Sequence, residues 1–238
     1  MIFAAFIILL AAFIRGISGF GYALLATPLL TFIFDAKSVV VMNIILSGVS
    51  SILALVYLRQ HIDFRRTLFL TLGSIPGLVL GTSLLAMLDP SIIKLAIAVI
   101  VIPFTVLLLL GHSHQFKRDT LSCVMAGFVS GVFQASTSLG GPPVVLLLLN
   151  QGLTKERFVA TIAAYFLLTA IILAGTFSSL GMITADLLIR MAILLPALWL
   201  GFYAGIKLLF RINPVLFKRI ASGIVLVSGV VIIVSIVT

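Results

Sequence analysis

The charged side chains of this sequence sit at the ends of long apolar segments and almost nowhere inside them. The segments run at about 1–34, 38–58, 67–88, 91–111, 120–149, 158–176, 183–206 and 214–237. Six of them are close to the ~20 residues that cross ~30 Å of hydrocarbon as a helix. Residues are 62% hydrophobic and only 9% charged, whereas soluble domains carry about 25% charged residues. Too little charge is present to clothe a surface in water. In lipid every backbone N–H and C=O must be satisfied inside the fold, which favours helices. The expected fold is therefore an all-α polytopic membrane protein, a single membrane domain over 1–238 with the lipid bilayer as its solvent.

The net charge of +9 lies in the short connections, where topology determinants sit, so nucleic acid is not an expected partner. The segment from Met1 lacks a basic n-region and a small-residue cleavage site, and reads as a retained membrane segment. One cysteine, Cys123, allows no intramolecular disulfide and no thiolate cluster.

Two segments, 1–34 and 120–149, are too long for a single crossing, and each is interrupted by small and polar residues. They also look alike. Phe13-Ile14-Arg15-Gly16-Ile17 aligns with Phe128-Val129-Ser130-Gly131-Val132 at an offset of 115, which also pairs Pro28 with Pro143 and Asp35 with Asn150. Pro76 and Gly81 pair with Pro196 and Gly201, and Asp89-Pro90 and Lys94 with Asn213-Pro214 and Lys218. A collinear series of this kind indicates two repeats, about 1–112 and 120–238.

The distribution of basic residues tests topology. Eight simple crossings leave a poor bias between the two sides. If 1–34 and 120–149 instead enter, break and return to the side they came from, the halves are inverted. Connections 59–66, 111–119, 150–157 and 207–219, with 11 Lys and Arg, then share one side, and only Lys37, Lys94 and Arg190 face the other. The inverted arrangement, with both termini outside the cytoplasm, is the expected one.

Inverted repeats with broken helices are the sequence pointer to a transporter site. Helix N-termini carry unsatisfied N–H groups and partial positive charge, which suits an anion. The first break offers Arg15, Gly16, Ser18, Gly19 and Gly21; the second offers Gln134, Ser136, Thr137, Ser138, Gly140 and Gly141. The set contains donors and one guanidinium but no carboxylate. Arg15 carries the most information, because a charge at membrane depth is costly. Gly73, Gly77 and Gly81 read as helix-packing positions. Asn43 and Thr161, polar residues in apolar segments, are candidate cavity-lining groups.

Other chemistries find no support. All six acids lie at or near segment ends, which argues against a buried carboxylate relay. His61, His112 and His114 lie in connections, and no metal or cofactor is expected. The sequence holds no H-E-x-x-H, G-x-S-x-G or Walker motif, so an enzyme is not expected.

The Gly16–Gly21 cluster followed by Pro28 and Asp35, repeated as Gln134–Pro143 and Asn150, resembles the sulfite exporter TauE/SafE family over essentially the whole chain. The resemblance implies a bacterial or archaeal inner-membrane transporter of sulfite, sulfonates or related sulfur-containing anions. The family's breaks fall on 15–28 and 134–143. The expected mechanism is alternating access, with an anion channel or a non-transporting scaffold subunit as alternatives and a homodimer as one possible assembly.

Overall fold

The computed structural model describes residues 1–89, 92 and 120–213, and all regular structure among them is helical. The helices are α1 (Ile2–Ser18), α2 (Tyr22–Leu30), α3 (Ala36–Leu58), α4 (Phe64–Met87), α5 (Thr120–Thr137), α6 (Gly141–Leu149), α7 (Lys155–Ser179) and α8 (Ala185–Leu209). A short 3-10 turn, Arg59–His61, follows α3. Five are long and apolar enough to cross a membrane: α3, α4, α5, α7 and α8. That is fewer than the eight apolar segments of the sequence, for two reasons. Segments 91–111 (Ile92 apart) and 214–237, which hold Lys94, Pro214 and Lys218, lie outside the described residues, as do Pro90, His112 and His114. Segment 1–34 is divided, which leaves α1 with 17 residues.

The two breaks fall where the sequence is rich in small residues. α1 ends at Gly19 (φ 79°) and α2 starts after Gly21 (φ 89°), left-handed backbone that glycine adopts without strain. In the second half Ser138 takes the same conformation (φ 63°) after α5, and Pro142 and Pro143 occupy the first turn of α6.

Long-range contacts define the two ends of the bundle. At one end Lys37 donates to Ala86 O near the end of α4 (3.1 Å), and Arg190 near the start of α8 lies 5.1 Å from the ring centre of Phe34. At the other, Arg66 at the start of α4 donates to Gln151 Oε1 (2.6 Å), and Lys155 donates to Leu209 O and Ile212 O at the end of α8 (3.0 and 2.8 Å). α1 lies along α8 in the same direction, Leu9 at Gly201 and Phe13 at Gly205. It therefore leaves the first end, and α2 leads back to Phe34 at that end. α5 lies along α4, with Val124 at Gly73, Phe128 at Gly77 and Val132 at Gly81. It leaves the second end, and α6 returns to Gln151 there. Each broken segment thus re-enters its own end, and the two do so from opposite ends.

Helices α3 and α7 pack on each other in the centre, where 61% and 67% of their apolar windows are buried, against 33% for α8. Outer faces carry exposed apolar side chains such as Val79, Ile189, Ile193 and Leu200, a surface for lipid. Gly73, Gly77 and Gly81 on α4 and Gly201 and Gly205 on α8 sit so close to α5 and α1 that a Cβ would overlap backbone carbonyls. Without a hydrophobic drive between helices in lipid, such close approach is a main source of packing energy.

Matching contacts correct the alignment of the halves. Ser18 Oγ bonds Ile14 O (2.8 Å) and accepts from Phe20 N (3.3 Å); Thr137 Oγ1 bonds Phe133 O (2.7 Å) and accepts from Leu139 N (3.4 Å). Asp35 caps α3 by accepting from Ser38 N, and Thr154 caps α7 by accepting from Arg157 N. The offset is therefore 119 from Ser18 to Asp35, and 124 for Gly77 with Gly201 and Gly81 with Gly205. The sequence pairings of Pro28 with Pro143, Asp35 with Asn150, Pro76 with Pro196 and Gly81 with Gly201 are each four residues out. Small residues recur every four positions along these packed helix faces, so a slip of one 3.6-residue turn preserves the visible pattern.

Candidate anion site between the two breaks

The breaks do not lie apart. Phe20, Gly21 and Tyr22 from the first and Ser138, Leu139 and Gly141 from the second line one cavity of about 20 Å³, together with Arg15, Asn43, Ser47, Gln134 and Phe166. Helices α2 and α6 both begin at its wall, so their first-turn N–H groups and partial positive charge are directed towards it.

Arg15 on α1 is 3% exposed and is the one charged side chain among the described lining residues. It donates to Ser51 Oγ on α3 (2.6 Å), whose own hydroxyl donates to Ser47 O (3.0 Å). Its guanidinium also lies 5.3 Å from the ring centre of Phe166, a cation–π contact. A guanidinium has five N–H donors, so Ser51 leaves donors over. Gln134 holds the corresponding place in the other half. It is 3% exposed and donates from Nε2 to Thr169 Oγ1 on α7 (2.9 Å). Each half thus presents one long polar side chain, steadied by a hydroxyl on a central helix. One is a cation and the other a neutral amide.

A second chain of bonds ties the halves together. Asn43 Nδ2 donates to Thr27 Oγ1 (2.9 Å), and Thr27 Oγ1 lies 2.7 Å from Ser138 Oγ. The second break is held from behind, Ser130 Oγ donating to Gly140 O and Tyr165 OH to Ser130 Oγ (2.8 Å). Among the described residues that line the cavity, three buried polar atoms have no partner: Tyr22 OH, Asn43 Oδ1 and Gln134 Oε1.

Of the residues expected from sequence, Arg15, Gly21, Asn43, Gln134, Ser138 and Gly141 line the cavity, and the others stand elsewhere. A Cβ on Gly16 would meet Phe202 O at 2.6 Å, so Gly16 is a packing residue against α8. A Cβ on Gly19 would meet Val159 at 3.0 Å, and one on Gly140 would meet Gln134 Cβ at 2.5 Å. Ser136 and Thr137 spend their hydroxyls on carbonyls of their own helix, and Ser18 bonds Ile14 O and Phe20 O. Thr161 Oγ1 accepts from Asp63 N (3.2 Å) and steadies the start of α4. Sequence reasoning missed Tyr22, Thr27, Ser51 and Phe166. Tyr22 and Phe166 look like ordinary apolar-segment residues, and Thr27 and Ser51 are short hydroxyls that usually bond to their own helix.

A separate space of about 250 Å³ opens at the second end, lined by Asp63, Arg65, Arg66, Phe69, Thr120, Cys123 and Gln151. There Asp63 pairs with Arg66. Burial pushes the Asp63 carboxyl up, but the Arg66 backbone N–H, the Arg66 guanidinium and Arg157 together hold it below the ordinary carboxylate value.

Two re-entrant broken helices, inverted with respect to each other and meeting at a buried cation, define a multi-pass membrane protein of the transporter class. The model of the sulfite exporter TauE/SafE family matches residues 4–232. With nearly the whole chain covered, the protein belongs to that family, whose members export sulfite or related sulfur anions across membranes. No curated protein and no solved structure matches the chain.

Proposed function

We propose that the chain is an alternating-access carrier of a small sulfur-containing anion, sulfite or an organosulfonate, in the bacterial or archaeal inner membrane. The observation that carries this reading is the convergence of both breaks and the buried Arg15 on one cavity. Arg15 supplies the charge, and the N-termini of α2 and α6 supply N–H donors to the anion's oxygens. Tyr22 and Ser138 add hydroxyls. The two repeats, about 1–112 and 120–238, rock against each other about the site.

The size of the cavity supports gating. About 20 Å³ admits roughly one water, less than a pyramidal oxyanion needs. The described conformation is closed around the site, and the walls must part to admit cargo, as in a carrier and unlike a standing pore. Among described residues the second end holds Arg59, Arg65, Arg66, Lys155, Arg157, Lys207 and Arg211, and the first only Lys37 and Arg190. The positive-inside rule makes the second end cytoplasmic. The 250 Å³ space is then the cytoplasmic approach, and its arginines attract anions.

The test is uptake of radiolabelled sulfite and simple sulfonates into liposomes containing the purified protein. Saturable uptake abolished by Arg15→Ala is expected. Non-saturating flux with electrical conductance selects a channel; no flux and no anion binding by folded protein selects a scaffold subunit.

A further inference from the structure

We infer that the cavity selects an anion bearing one negative charge and, in addition, a hydrogen-bond donor: a hydrogen-bearing oxyanion, or a sulfonate with a hydroxyl or amino group. The inference rests on the anion-carrier reading and narrows its substrate.

The first argument is charge. Arg15 is the one charged side chain among the described residues that line the cavity. It is 3% exposed, so solvent screens it little. A monoanion pairs with it. A dianion leaves one negative charge uncompensated in a low-dielectric site, where an unpaired charge is strongly disfavoured.

The second argument is the orphaned acceptors. Asn43 Oδ1 and Gln134 Oε1 are buried, lack partners and belong to lining residues. The orientation of Gln134 is set by the other half of its amide. The Thr169 hydroxyl donates to Tyr165 O (3.0 Å), so its oxygen is left to accept from Gln134 Nε2. Gln134 therefore turns its carbonyl oxygen away from Thr169. On the other chain Thr27 Oγ1 accepts from Asn43 Nδ2 and shares a hydrogen bond with Ser138 Oγ in which either hydroxyl can donate. Bare oxyanion oxygens satisfy Arg15 and Tyr22 OH, but they cannot satisfy an amide carbonyl. Two acceptors beside a cation call for a ligand with both an anionic end and a donor.

The third argument is the fit of Gly140. A Cβ there would lie 2.5 Å from Gln134 Cβ and 3.1 Å from Gln134 Oε1. The glycine leaves the room in which the Gln134 carbonyl is held at the second break.

The experiment uses liposomes containing the full chain and three labelled probes that stay ionised throughout the neutral range. These are 2-hydroxyethanesulfonate (monoanion with a donor), 1-propanesulfonate (similar size, no donor) and 1,2-ethanedisulfonate (dianion). Uptake of the hydroxy compound is expected to exceed that of propanesulfonate by about tenfold or more in kcat/KM, because a site that leaves polar groups unpaired discriminates strongly. The disulfonate should be the poorest of the three. Gln134→Met and Asn43→Leu should each shrink the hydroxyl preference, read as the ratio of the kcat/KM values for the two monoanions, to about threefold or less. Equal uptake of hydroxyethane- and propanesulfonate by the native protein overturns the inference, and that comparison needs no variant to fold. Disulfonate uptake matching the hydroxy compound overturns its charge half, and an unchanged preference in both variants overturns its assignment to these amides. Each of those results leaves the carrier reading standing. Absence of uptake of every anion, sulfite included, by folded protein overturns the carrier reading itself and this inference with it.

Discussion

Arg15 and Gln134 stand at the same place in the two halves, 119 residues apart, each fixed by a hydroxyl on a central helix, and only the first carries charge. The pseudo-symmetry of the fold therefore does not extend to its electrostatics. In the proposed carrier, one half would neutralise the anion and the other would read its shape and hydrogen-bonding pattern.

Replacing Arg15 by Gln makes the halves alike at this point. Glutamine keeps a neutral hydrogen-bonding side chain at this position, as Gln134 does in the other half, so the fold should survive with a similar melting temperature in detergent. Losing one partner of a buried charge pair costs about 2–5 kcal/mol. At 1.4 kcal/mol per tenfold, sulfite uptake should fall by about thirtyfold or more. Uptake within threefold of the native protein removes Arg15 from the site.

The glycine contacts set the stability of the bundle. Gly77→Ala places a methyl group on Phe128 O, and Gly201→Ala places one on Leu9 O. Overpacking of this kind costs about 1–3 kcal/mol. Each variant should show a clearly lower apparent melting temperature. Gly175 on α7 is the control, since nothing lies within 4 Å of its added Cβ. Ala there should leave stability unchanged or raise it by up to about 1 kcal/mol, from helix propensity.

Ser138 combines an unusual backbone with a useful hydroxyl. Ser138→Ala removes the bond to Thr27 and keeps the left-handed φ of 63° on a residue with a Cβ. Ser138→Gly removes the same bond and relieves a conformational cost of about 1–2 kcal/mol. Both variants should raise the KM for sulfite by about three- to tenfold, as expected for about 1 kcal/mol of hydrogen bonding. The Gly variant should melt at the higher temperature. Equal KM values for native and variant proteins would show that the link is dispensable.

At the second end, Asp63 and Arg66 give a pH-dependent contribution. The folded-state pKa of Asp63 is depressed, so its stabilisation is present above the unfolded value of about 3.9 and is lost as pH falls through the folded one. The apparent melting temperature should drop as pH is lowered from about 5 towards 2. Asp63→Asn should melt lower at neutral pH and show a flatter profile over that range. A parallel pair of profiles rules Asp63 out as a contributor.

Much of the architecture was legible before any coordinates. Re-entry of 1–34 and 120–149 followed from basic residues clustering at Arg59–Arg66, Lys155–Arg157 and Lys207–Arg211, because only inversion puts them on one side. Helix-packing roles for Gly73, Gly77 and Gly81 followed from their spacing of four. The same spacing misled the alignment of the halves by one turn, and so concealed that Arg15 corresponds to Gln134. Gly16 sat in a glycine-rich stretch that looked like ligand-binding backbone, yet the approach of Phe202 O on α8 makes it a packing residue.

Sequence alone determined the solvent, the helices and the places where helices must stop. Those follow from local chemistry: hydropathy, the scarcity of charge, and glycine or proline at the breaks. It also marked Arg15, because a cation at membrane depth is expensive wherever it points. Tertiary structure alone decided which polar groups face the cavity. Ser18, Ser136 and Thr137 turn their hydroxyls to their own backbone, while Thr27, from an apolar stretch, joins Asn43 to Ser138 across the halves. A hydroxyl in a helix can bond to a carbonyl one turn back or to a partner more than a hundred residues away. That choice depends on what the packing of α3 and α7 brings within reach.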